Sequence, residues 1–120
     1  MANRKYNLSN GCIKWVLDTS TVLALGAPAE HTVGQWAIQV VPTGAGGAFV
    51  PKQCVRGSGL SGANLATCVY YESDGETAIA AGTATSAAGI YYIPSDGLDT
   101  SLDFTADTGS MALYIYPIKG

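Results

Sequence analysis

His31 is the chain's one histidine, so any nucleophile–histidine pairing would have to run through it. It lies in Pro28-Ala29-Glu30-His31-Thr32-Val33, a loop-like stretch, and no Gly-x-Ser-x-Gly elbow accompanies it. The residue reads as an exposed loop histidine, not as a base. Asp96, Asp99, Asp103 and Asp107 form an acidic series, but their spacing does not reproduce the alternate-residue ligands of a calcium loop. Glu72, Asp74 and Glu76 surround an Asp-Gly turn. Nothing in their order brings two carboxyl groups to one cleft, as glycoside hydrolysis demands. Cys12, Cys54 and Cys68 are odd in number and show no Cys-x-x-Cys spacing, so they mark neither a disulfide framework nor a zinc site. Cys68, in Leu65-Ala66-Thr67-Cys68-Val69-Tyr70, reads as a small buried hydrophobe. Gly44-Ala45-Gly46-Gly47 precedes a strand instead of a helix and is no phosphate cradle. No catalytic set, cofactor site or metal site emerges, and the chain reads as not an enzyme.

The aromatic residues are less easily set aside. Tyr70 and Tyr71 are adjacent, as are Tyr91 and Tyr92, so in a strand one of each pair faces outward. Tyr114 and Tyr116 stand two apart and would form an exposed row. Such a row stacks on a sugar or anchors a protein partner. It serves equally as a cross-strand ladder that stabilises its own sheet. The residues alone leave both readings open.

The elements that must carry these side chains are strands. In Leu98-Asp99-Thr100-Ser101-Leu102-Asp103-Phe104-Thr105-Ala106, Leu98, Leu102 and Phe104 share one parity, while Asp99, Asp103 and Thr105 share the other. A helix would put Asp99 in the core stripe; a strand puts it on the wet face. Asp107-Thr108-Gly109-Ser110 supplies turn chemistry. Met111, Leu113 and Ile115 alternate with Ala112, Tyr114 and Tyr116, which predicts the return strand of a hairpin, ended by Pro117. Earlier strands are expected at Cys12–Leu17, Val22–Leu25, Gln35–Val41 (closed by Pro42), around Gln53–Val55, within Ala63–Glu72, at Thr77–Ala80 and at Ile90–Ile93. Ser73-Asp74-Gly75-Glu76 is the turn of a second hairpin. Eight or nine short strands at intervals of about 8–12 residues, with no helical period, predict an all-β antiparallel sandwich or barrel. Residues 1–11 read as an extended N-terminal arm and residues 12–120 as one domain.

With 120 residues the chain is long enough for one core without staples. Hydrophobic residues make up 48% and charged residues 12%, about half the usual share of charge. So thinly charged a surface fits burial under partner chains, and fits equally a thin two-sided β-domain rich in small residues. A net charge of −3 argues against a nucleic-acid-binding protein. No run has the length of a membrane span, and no apolar signal core follows Arg4-Lys5, so folding in a reducing cytoplasm is expected. The charge is uneven. Arg4, Lys5, Lys14, Lys52 and Arg56 outweigh Asp18 and Glu30 in the first half, and seven carboxylates face Lys119 alone in the second. Opposite-signed halves favour head-to-tail contact between copies, or are ordinary solvated strand edges.

Ala87-Ala88-Gly89-Ile90-Tyr91-Tyr92-Ile93-Pro94, Gly97, and Leu102-Asp103-Phe104-Thr105-Ala106-Asp107-Thr108-Gly109-Ser110 together resemble the end of a small β-sandwich domain found in virion proteins of tailed bacteriophages. Trp36-Ala37-Ile38-Gln39-Val40 and Phe49-Val50-Pro51 resemble strands on either side of that domain's glycine turn. The likeness covers roughly residues 34–117 in short, degenerate motifs. It implies an antiparallel, jelly-roll-like sandwich in the virion, either as a capsid decoration (cement) protein on the head shell or in tail and fibre parts. No shaft or coiled coil accompanies the domain, which favours the head. The implied partners are the major capsid protein and other copies of the chain, as a homo-oligomer such as a trimer. Contact is expected through Arg4, Lys5 and Tyr6 of the arm together with Trp15. The other reading is a tail-associated receptor- or glycan-binding module using Tyr114, Tyr116 or Trp15.

Overall fold

The computed structural model describes residues 3–26, 34–44, 47–58 and 63–119. His31 with its loop, the middle of the glycine turn at 45–46, and 59–62 lie outside them. In chain order the strands are β1 (Arg4–Asn7), β2 (Ile13–Leu17), β3 (Thr21–Gly26), β4 (Gly34–Gly44), β5 (Ala48–Cys54), β6 (Ala66–Thr67), β7 (Tyr70–Tyr71), β8 (Ala78–Ile79), β9 (Gly89–Pro94), β10 (Asp99–Thr105) and β11 (Gly109–Lys119), with one 3-10 turn at Ser9–Gly11. Among the described residues these eleven segments exceed the eight or nine expected, because β1 carries no alternation to read and the strand expected within 63–72 divides in two.

They form two antiparallel sheets. The larger has the order β1-β2-β11-β4-β9-β7-β8 and the smaller β3-β10-β5-β6. Alternate residues of both sheets meet in one core. Leu17, Ile38, Val40, Ile93, Met111, Leu113 and Ile115 come from the larger sheet; Leu23, Phe49, Leu102 and Phe104 come from the smaller. The result is an all-β, sandwich-like fold. At one end Phe49, Tyr70 and Tyr91 pack with ring centroids 6.3–6.4 Å apart, tying the sheets together. Thr85 exchanges two backbone hydrogen bonds with Phe49, and the Tyr70 hydroxyl donates to the Thr83 carbonyl at 2.6 Å. Segment 83–85 is thereby clamped across that end.

Three expectations are corrected. The C-terminal hairpin does not form: β10 pairs with β3 and β5, whereas β11 pairs with β2 and β4. Residues 106–108 carry the chain from one sheet to the other. Alternation told which side chains face the core, and two strands facing one core from opposite sides alternate just as a hairpin does. Pro42 and Pro117 do not end their strands. Pro42 lies beyond the reach of β9 and Pro117 beyond the reach of β2, so each sits where one flank has no ladder bond to lose. The single strand expected within 63–72 is split, with β6 in the smaller sheet and β7 in the larger. The arm lies against the larger sheet. Arg4–Asn7 pair with β2, and Asn3 Oδ1 accepts from the backbone N–H groups of Asp18 and Thr19 at 2.8 and 3.0 Å.

Candidate functional site

The outer faces of the two sheets differ in chemistry. On the smaller sheet Lys52 pairs with Asp103 at 3.2 Å, an ordinary solvated pair. The larger sheet presents tyrosines instead. Register places Tyr6, Lys14, Tyr114, Gln39 and Ile90 in one cross-strand row, and Tyr116, Ala37, Tyr92 and Tyr71 in the next. Five of the seven tyrosines therefore share this face, and Tyr70 and Tyr91 point into the core. Val41 and Ile90 are exposed beside them, as is Ile118. No carboxylate occupies an outward position on these strands, so the face is aromatic, apolar and cationic.

Within the first row the Lys14 ammonium lies 5.7 Å from the Tyr6 ring centroid and 5.3 Å from that of Tyr114. A cation over two ring faces is attracted by both, at about 0.5–1 kcal/mol each where the site is exposed. In the second row the Tyr116 hydroxyl donates to Gln39 Oε1 at 3.3 Å. Burial pushes the Tyr116 phenol up from its ordinary pKa, with Cys12 and Tyr114 adding to the effect, so it stays a neutral donor. Ala37 is 5% exposed although it lies on the outer face, in register between Tyr116 and Tyr92.

The residues expected to contact a partner divide. Arg4 and Tyr6 share the parity of Lys14 and Val16 and belong to this face. Lys5 and Trp15 have the opposite parity. Trp15 packs partly buried against the core, with the Lys5 ammonium 5.9 Å from its ring, on the side of the sheet away from the tyrosines. Tyr114 and Tyr116 are side by side and half-buried, in keeping with a ladder that also offers its outer surface. Lys14 and Gln39 were missed as members of the face. Their only sequence signal was parity, and parity means nothing for a surface until the strand order is known.

At the far end of the same face, Gln35, Tyr92 and Ile118 border a cleft of about 370 Å³ with the turn Ser73-Asp74-Gly75. Asp74 holds that turn together. Its Oδ1 accepts from the N–H groups of Glu76 and Thr77, both at 2.8 Å, and its Oδ2 accepts from the Thr77 hydroxyl at 2.5 Å. The Thr77 and Glu76 bonds hold the carboxyl down at a pKa of about 2.

Among the described residues no three His, Cys, Asp or Glu side chains come together to share a metal ion. Cys12 and Cys54 are buried thiols outside any disulfide, and Cys68 is half-buried. Burial raises Cys68 to about 11, which keeps it a poor nucleophile. No helix in the described residues is long and apolar enough to cross a membrane. Compared with protein-family models, with curated proteins and with solved structures, the chain matches none.

Proposed function

We propose that this chain is a structural protein of a tailed-bacteriophage particle, a capsid decoration protein that acts by binding the outer head shell. The observation that carries the reading is the tyrosine-rich outer face of the larger sheet, whose strands hold no outward carboxylate. Partly ordered aromatic side chains give large contact area at low entropic cost, which suits a docking face. Burying that face between shell subunits would tie neighbours together without any chemical step.

Strand order supports the finer reading of the fold as a jelly roll. Take β2, β3, β4, β5, β6, β9, β10 and β11 as strands one to eight. The first then lies beside the eighth, the second beside the seventh, the third beside the sixth and the fourth beside the fifth. A long antiparallel hairpin rolled around a core gives this order, an architecture known in viral capsid domains. The link from fold to role is analogy; the face is the physical argument.

The test adds purified protein to phage shells stripped of it and measures occupancy by co-sedimentation. Tyr6→Ala with Tyr114→Ala should lower occupancy about tenfold or more while the circular dichroism spectrum is unchanged, as expected for loss of two aromatic anchors. Full occupancy with that variant, or no binding by the natural sequence, overturns the reading. The cleft at Tyr92 favours a second reading, a glycan-binding tail module, since an aromatic ring there stands beside an amide and a carboxylate. Saturable glycan binding lost on Tyr92→Ala would support it over the shell.

A further inference from the structure

The two open edges of the larger sheet carry opposite charge. At one edge, β1 exposes Arg4 and Lys5. At the other, the β7–β8 hairpin exposes Glu72 and Glu76. Among the described residues none of these four side chains is in an ion pair. Seven strands at the usual spacing put the edges about 29 Å apart, about three and a half Debye lengths at physiological salt. The two sets of charges are therefore screened from each other within one molecule and can neutralise each other only between molecules.

We propose that copies of this chain associate head to tail through these edges, the β1 edge of one copy meeting the β7–β8 edge of the next. Charge selects this contact over the others. Two β1 edges repel, and so do two β7–β8 edges, so both self-matched pairings are disfavoured. The edges of the smaller sheet offer no such code: β6 is Ala66–Thr67, and β3 exposes Val22 and Ala24. A contact between unlike surfaces propagates, giving a ring if the rotation closes and an open row if it does not. With β8 only two residues long, backbone pairing across the joint is brief, and the contact is weak for one pair of molecules. It gains strength where many copies are held in a lattice. The inference goes beyond shell binding and stands on the edges alone, so it can fail while that reading holds.

Sedimentation equilibrium of the full chain, with no shell present, provides the test. At low salt the weight-average mass should climb past that of a dimer as concentration rises. Going from about 0.01 M to about 1 M salt shortens the Debye length from about 30 to about 3 Å and should weaken association about tenfold or more. Arg4→Glu with Lys5→Glu should remain monomeric at low salt, and so should Glu72→Lys with Glu76→Lys. An equimolar mixture of the two variants should associate again, because each acidic edge then meets a basic one. Monomer at every concentration of the natural sequence overturns the proposal. So does association that survives both reversals, or a mixture that stays monomeric. The two variants alter different edges, so misfolding of one, seen by circular dichroism, leaves the other to decide.

Discussion

Tyr70 has a position that its neighbour Tyr71 does not share. Its ring is fully buried between Phe49 and Tyr91, and its hydroxyl serves both the Thr83 carbonyl and the Thr85 hydroxyl. Tyr70→Phe keeps the ring and removes the hydroxyl, leaving the buried Thr85 side chain without that partner. We expect a loss of about 1–3 kcal/mol, read from urea unfolding with unchanged m-value. Cys68 gives a second expectation. Its thiol is raised from 9.0 to about 11 by burial, so the folded state keeps a proton that the unfolded chain gives up first. That contribution is whole below pH 9 and is lost as pH rises through about 11. Stability measured across that range should fall with pH, and less steeply in Cys68→Ala. Tyr70, also raised by burial, keeps part of the slope. Such partners were invisible in the sequence: Tyr70-Tyr71 announces that one ring is inside, not which one.

At the scale of elements, β1 is ordered without burying a side chain in the core. All four of its residues are exposed, and it is tied down by its ladder to β2 and by the Asn3 side chain. Asn3→Ala should speed amide hydrogen exchange in Arg4–Asn7 while leaving exchange in β4 and β11 at its global limit. Equal acceleration throughout the larger sheet would show that β1 is part of the cooperative unit. The sequence marked this stretch as polar and peripheral, which it is. It did not show that an exposed edge of β2 would recruit it, because pairing of an edge strand is a matter of backbone groups. The prolines teach the same lesson. Pro42 and Pro117 looked like strand endings, yet their effect depends on whether a third strand lies alongside.

For the whole molecule, the face and the edges of the larger sheet are products of its order. Tyr6 and Tyr114 are more than a hundred residues apart in the chain and lie on either side of Lys14 because β2 sits between β1 and β11. The charge asymmetry was legible as a difference between halves of the chain. Its physical form, one basic edge and one acidic edge, came from β1 and β8 ending up at opposite sides of one sheet. Salt-dependent self-association and shell binding lost with the tyrosines both belong to this scale. Neither would follow if the same strands were shuffled into another order.

From residue types alone came the all-β class, the antiparallel habit, most strand positions and which residues of β10 and β11 turn inward. These are local consequences of period-two alternation, turn chemistry and the lack of any helical repeat. Only the tertiary structure decided which strands are neighbours. It separated β10 from β11, split 63–72 between sheets, turned Trp15 toward the core and gathered five tyrosines on one face. The physical reason is that a strand's side-chain pattern specifies its own two faces, while its partners are chosen by closing one shared core over the whole chain.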